Sequence, residues 1–294
     1  MDRQIAPYHK TRIAPTPSGF LHLGNILSFA ITADIARTTG AKILLRIDDL
    51  DRARVNKEYV QDIFDTLDFL EIPWDEGPRN AQDFDDAWSQ LRRLDMYTNA
   101  LQQLAGSAQV FACTCSRNQL QTNTCNCAEK HVRLNTPDAA WRLLTERYRE
   151  ITVKTLGDAS IHAALPADMK NFVVKKKDGF PAYQLASVID DLFYGIDLVV
   201  RGEDLWPSTL AQQVLVTALG DARFKNITFY HHPLLMENNG AKLSKSAGAT
   251  SIKCLRENGK SREQIYTMIA GMLGTGEAAD SWQELARLVG RTNG

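Results

Sequence analysis

No stretch of the 294-residue sequence approaches the roughly 18–20 consecutive apolar residues that a bilayer-spanning helix needs. Residues Met1 to Lys10 also lack the apolar run of a secretory signal. Charge of either sign is not in excess: 34 Lys and Arg face 35 Asp and Glu, for a net −1. That excludes a histone-like polycation, although a neutral total can still hide a local basic face. Cysteine is sparse, and five are too few for a secreted disulfide scaffold. Four of them crowd between Cys113 and Cys127, which reads as a metal site. Internal repeats and low-complexity tracts are missing too. What remains is an ordinary folded mix, 44% hydrophobic and 23% charged, which excludes intrinsic disorder. A cytoplasmic protein of about two domains with no membrane partner is expected.

The opening 70 residues alternate in type. Thr11–Pro15 reads as a short strand ended by Pro15 and Pro17. Leu23, Ile26, Leu27, Ala30 and Ile31 then fall on one helical face, up to Gly40. Lys42–Ile47 reads as a buried strand, and Val60, Ile63, Phe64, Leu67 and Leu70 mark a second helix. Strand, helix, strand, helix favours a parallel sheet with crossovers. Further on, a helix over Trp88–Leu104 and strands at Val110–Ala112, Phe172–Val174 and Leu198–Val200 are expected. Helices should also begin near Ser208 and at Ser261, with little signal between the cysteines and Asp168.

Two loops carry chemistry. The first, from Ala14 to Asn25, follows a strand and opens a helix, where backbone N–H groups and the helix dipole favour an anion. Gly24 would let a nucleotide approach the backbone, and His22 can donate to a phosphate oxygen. The second is Lys242-Leu243-Ser244-Lys245-Ser246, after the turn-forming Asn238-Asn239-Gly240. Two lysines three apart beside hydroxyls suit the charge that develops on a leaving pyrophosphate.

The HLGN and KLSKS segments resemble the HIGH and KMSKS signatures of class I aminoacyl-tRNA synthetases. TRIAPTPSGFLHLGN, LLRIDDLD, FPAYQLASVIDD and VVRGEDL are similar to the glutamyl branch, in the same order. The resemblance implies an α/β, Rossmann-type catalytic core with an inserted zinc-bearing, acceptor-type segment and a short helical C-terminal region. The expected division is 1–105 for the first half of the core and 106–180 for the insertion. The second half with the KLSKS loop is 181–250, and 251–294 is a helical tail. Only 48 residues follow Ser246. On that count the chain resembles the truncated glutamyl-queuosine tRNA(Asp) synthetase family, which lacks an anticodon-binding region. That family activates glutamate with ATP and joins it to the queuosine base of tRNA(Asp). The competing readings are a truncated enzyme charging a tRNA 3′ end and a catalytically silent RNA-binding or regulatory paralogue.

The resemblance assigns Arg12, Ala14, Thr16, Tyr183 and Arg201 to glutamate. Arginine suits a carboxylate because its guanidinium can make two parallel charge-assisted bonds. Asp48 stands where the family usually has Glu and would hold the substrate ammonium. Its reach is roughly 1.3–1.5 Å less, so the backbone shifts inward, a water bridges, or the preferred amino acid differs. His22, Gly24, Asn25 and Lys245 are expected at ATP, with His22 near the α-phosphate. Lys245, supported by Lys242, belongs at the β- and γ-phosphates, with Mg²⁺ accompanying the nucleotide. Cys113, Cys115, Cys125 and Cys127 form two C-x-C pairs, enough thiolates for a tetrahedral structural zinc. The family's usual tyrosine ligand falls at Asn123 here, which leaves Cys125 in its place and His131 as the alternative. Cys254 is isolated and reads as an ordinary thiol. The Lys175–Lys177 run reads as a solvated face or as a contact for RNA phosphates.

Overall fold

The structure is a computed structural model that describes residues 7–122, 125–236 and 251–292. In chain order its regular elements begin β1 (Lys10–Ile13), α1 (Leu23–Thr39), β2 (Lys42–Leu45), α2 (Lys57–Phe69) and α3 (Ala81–Asp83). There follow α4 (Leu94–Gly106), β3 (Val110–Cys113), α5 (Arg117–Thr122), β4 (Ala140–Leu143), β5 (Ile151–Lys154), β6 (Ser160–Ala163) and β7 (Val173–Lys175). The rest are α6 (Tyr183–Phe193), β8 (Leu198–Gly202), α7 (Trp206–Leu219), β9 (Thr228–His232), α8 (Ile252–Glu257), α9 (Arg262–Met272) and α10 (Trp282–Thr292). They fall into two compact units.

The first unit comprises Met1–Arg92, Ile196–Asp204 and Phe229–Gly294. β1 and β2 pair in parallel, with Arg12 opposite Leu44, and α1 is their crossover. β8 lies beside β1, tied by the Asp197 amide to the Lys10 carbonyl at 3.0 Å, and pairs with β9. Every residue of β8 is buried, as expected of a strand covered on both faces. α1 ends where Gly40 turns left-handed at φ 77° and returns its N–H to Ala36, a glycine C-cap. α9 and α10 pack on α1, where the Arg37 guanidinium lies 5.7 Å from the Trp282 ring centre. Gly77, at φ 105°, passes so close to the Leu45 carbonyl that any Cβ would collide with it.

The second unit, Arg93–Gly195 and Leu205–Thr228, holds the antiparallel sheet β3–β4–β7 and the hairpin β5–β6. α4, α6 and α7 pack together in it. The buried Arg93 guanidinium grips Asp190 of α6 at 2.9 and 3.1 Å, and Tyr97 donates to the same carboxylate at 2.7 Å. The charge is satisfied from three sides, as a buried carboxylate requires.

Several expectations shift. The helix from Trp88 instead begins at Leu94, after a π-turn (Phe84–Trp88) and a 3-10 turn (Gln90–Arg93). Ser89 adopts an extended ψ of 140°, and its hydroxyl donates to Asp49 at 2.6 Å while the Gln90 amide donates to the same carboxylate at 2.8 Å. Those bonds outweigh the local helical pattern. β4, β5 and β6 occupy the segment that carried little signal. The helical region from Ser261 resolves into α9 and α10, separated by Gly274 and Gly276 at positive φ. Among the described residues no helix is long and apolar enough to cross a membrane.

Candidate active site and cysteine cluster

His22 is the N-cap of α1, and its Nδ1 accepts the Gly24 amide at 3.1 Å. The Asn25 side chain returns the bond by accepting the His22 amide at 3.0 Å, a capping box in which histidine replaces the usual hydroxyl. An acceptor Nδ1 places the neutral ring's proton on Nε2, making that atom the donor. A Cβ at Gly24 would lie 3.1 Å from His22 Cε1, so the imidazole itself occupies the space above this glycine. The second turn is also braced from β9. Buried His232 donates from Nδ1 to the Pro233 carbonyl at 2.9 Å, so its Nε2 accepts the Ser28 hydroxyl at 2.6 Å.

Arg12 on β1 and Arg201 on β8 are 5% and 4% exposed, which rules out the surface salt bridges that arginines usually make. Arg12 donates to the Val200 carbonyl at 3.3 Å, and Arg201 lies 5.1 Å from the Phe229 ring centre. His231 on β9 sits in the field of both. Burial first, then the positive charge of Arg201 and the influence of His232 and Arg12, pull its pKa down to about 3 against Asp204. The imidazole therefore stays neutral.

Asp48 is buried, and its amide donates to the Pro15 carbonyl at 2.9 Å, which sets it beside the loop of Ala14 and Thr16. Its carboxylate is already gripped by the equally buried Arg46, Nε to Oδ1 at 2.7 Å and Nη2 to Oδ2 at 3.1 Å. Ala14 is half-buried and Thr16 exposed. Tyr183 opens α6 in the second unit and is 43% exposed, so it is not a core aromatic. Lys242 and Lys245 lie outside the described residues, as does Asn123.

The four cysteine sulfurs of the second unit converge within 4.8 Å of one another. Cys113–Cys125, Cys115–Cys125 and Cys115–Cys127 are 3.6, 3.9 and 3.5 Å apart. A tetrahedral ion with metal–sulfur bonds of about 2.3 Å needs sulfurs about 3.8 Å apart, so the donor set fits one. His131 is exposed, at φ 49°, and is not one of this group. The lysine run is engaged internally. Lys175 covers the Trp141 ring at 4.5 Å, Lys176 pairs with Asp178 at 2.9 Å, and Lys177 donates to the Thr114 carbonyl at 2.8 Å.

Arg46, which clamps Asp48, His231, in the field of Arg12 and Arg201, and His232, which braces α1, are groups that sequence reasoning passed over. The adjacent pair in Tyr230-His231-His232-Pro233 was a usable signal, since two histidines on one strand face opposite ways. Arg46 was visible only as one more charge in the motif holding Asp48.

Residues 9–290 match the profile of the catalytic domain of class I tRNA synthetases (E and Q), and the chain belongs to that family. It is 32% identical over 290 residues to a glutamate-tRNA ligase of Treponema denticola, covering 90% of this chain and 55% of that protein. A glutamyl-Q tRNA(Asp) synthetase of Symbiobacterium thermophilum is 34% identical over 287 residues, covering 90% of this chain and 86% of its own length. The chain thus spans little more than half of the first of these relatives. A crystal structure of glutamate-tRNA synthetase from Elizabethkingia anophelis shares the fold, with a TM-score of 0.71 at 22% identity over 96% of this chain and 66% of that one.

Proposed function

We propose that this chain activates glutamate with ATP and transfers it to the queuosine base of tRNA(Asp). The amino-acid half of the reading is carried by one observation: two buried guanidiniums, Arg12 and Arg201, on neighbouring strands beside a neutral histidine. A dicarboxylate suits such a pair, since charge-assisted bonds to guanidinium are strong and strengthen further away from water. Ala14 and Thr16 on the adjoining loop complete the assignment, and the role of Tyr183 rests on the sequence resemblance alone. Asp48 receives the ammonium on the lone pairs that Arg46 leaves, and its short stem changes the geometry of that contact without changing the amino acid.

In the reaction an oxygen of the glutamate α-carboxylate attacks the α-phosphorus of ATP. Pyrophosphate leaves, and the product is glutamyl-adenylate. Catalysis of such a step consists mostly of positioning and of stabilising phosphate charge. The Nε2 proton of His22 serves the α-phosphate, with Gly24 and Asn25 alongside. Lys245, supported by Lys242, serves the β- and γ-phosphates, a role resting on sequence, and Mg²⁺ enters with the nucleotide. The four cysteines hold a structural zinc that pins a segment poor in apolar residues.

The queuosine acceptor is supported by relatives of that name, including those of Symbiobacterium thermophilum and Nocardia farcinica at 34% and 32% identity. The glutamate-tRNA ligase relatives favour a second reading, transfer to a tRNA 3′ end. Pyrophosphate exchange across the standard amino acids tests the first half, and exchange with another amino acid but not with glutamate overturns it. The acceptor is tested with labelled glutamate and tRNA bearing or lacking queuosine, with the 3′-terminal adenosine intact or enzymatically removed. Label that survives removal of that adenosine and needs queuosine supports base transfer; label abolished by its removal moves the acceptor to the 3′ end.

A further inference from the structure

The turn into α8 is joined to the His22 loop by contacts that the chemistry above does not use. The Ile252 amide donates to the Leu21 carbonyl at 2.8 Å, and His22 and Ser251 form an antiparallel bridge. Buried Ser251 caps α8, its hydroxyl accepting the Cys254 amide at 3.2 Å. Next in the chain, Lys253 places its ammonium 4.5 Å from the centre of the Phe20 ring and pairs with Glu58 in the first turn of α2. Phe20 meets Tyr59 of α2 edge-on, with centroids 4.8 Å apart at 87°. One turn further, Arg256 reaches the buried Asp62 carboxylate at 3.0 Å.

α8 has six residues, too few for a helix to hold itself in water. Its placement against the His22 loop therefore depends on these ties. An exposed ion pair alone contributes little. Lys253, however, is only 25% exposed and is held by an aromatic face and a carboxylate from two different segments.

We propose that Lys253 is a positioning residue: its ammonium, over Phe20 and paired with Glu58, seats α8 on the Leu21–His22 segment and so fixes His22 for the nucleotide. This rests on the reading of His22 as the α-phosphate contact.

The test is glutamate-dependent pyrophosphate exchange by Lys253→Met, which keeps the stem and removes the charge, and by Lys253→Arg, which keeps both. The expected result for Lys253→Met is a KM for ATP raised about threefold to tenfold, with the KM for glutamate and the melting temperature unchanged. Lys253→Arg should restore the KM for ATP. Phe20→Leu should raise the KM for ATP less in the Lys253→Met background than in the wild type, because only the ring's contact with Tyr59 is then left to lose. An active wild type with an indistinguishable Lys253→Met overturns the inference and leaves the function standing. Equal changes in both KM values, or a lowered melting temperature that arginine does not restore, also overturn it by showing a general structural role. A wild type that neither exchanges pyrophosphate nor binds ATP overturns the function and the inference together.

Discussion

A methyl group at position 24 would lie 3.1 Å from Cε1 and 3.2 Å from Nδ1 of His22, where heavy atoms ordinarily rest about 3.5–4.0 Å apart. The imidazole must then retreat by about 0.5 Å, lengthening the 3.1 Å bond from the Gly24 amide. Two effects on stability oppose each other. Alanine in a helix gains up to about 1 kcal/mol over glycine, and weakening the cap costs about 0.5–2 kcal/mol. The melting temperature of Gly24→Ala should therefore change by only about 2–4 °C. Activity has no such compensation. Since a misplacement of about 1 Å can cost about a hundredfold, a shift of about half that should lower kcat for glutamate-dependent pyrophosphate exchange about tenfold. Exchange kinetics beside a thermal melt separate the two. A stable Gly24→Ala with a loss below about threefold would refute the role given to the His22 ring.

Four further outcomes are expected. Metal analysis of reduced protein should find about one zinc per chain and a large loss in Cys115→Ser, whereas near-zero metal in the wild type would remove the site. Arg201→Lys, which keeps charge but loses the two-pronged donor, should raise the KM for glutamate about tenfold or more while leaving the KM for ATP alone; equal changes in both would count against a carboxylate contact. Asp48→Asn leaves Arg46 buried beside a neutral amide and should cost about 3–5 kcal/mol in denaturant melts, and a value below about 1 would mean the pair is dispensable. His231 titrates near 6.5 when unfolded and at about 3 when folded, so the unfolded chain takes up the proton first as pH falls. Its contribution is complete above about pH 6.5 and drains away towards pH 3. Melting temperature should fall across that window, less steeply in His231→Gln, and parallel slopes would refute the assignment.

Local pattern was a good guide wherever one face of an element decided its fate. α1, α2 and β8 announced themselves through their apolar pattern, with Gly40 closing α1, and burial in the structure follows the same residues. Position 88 shows the limit. The sequence around Trp88–Leu104 reads as one helix, yet Asp49, some 40 residues earlier, claims the Ser89 hydroxyl and the Gln90 amide and delays the helix to Leu94. No window on the sequence contains that competitor. The site shows the same division. The loop and arginine candidates were visible as residue types in order, but the Arg46 clamp on Asp48 and the ring of His22 over Gly24 are side-chain geometries. Neither has a periodicity to read.

α1 carries His22 at one end and is buried along most of its length, with α10 among the elements that cover it. That cover is made by residues 282–292, which the ribosome delivers long after α1 itself. Until they emerge, Trp282 cannot meet Arg37 and part of α1's apolar surface stays wet. Synthesis therefore passes through a stage in which the sheet can pair while its histidine-bearing helix remains adhesive. A nascent chain stalled short of α10 should be a client for chaperones rather than a smaller working enzyme.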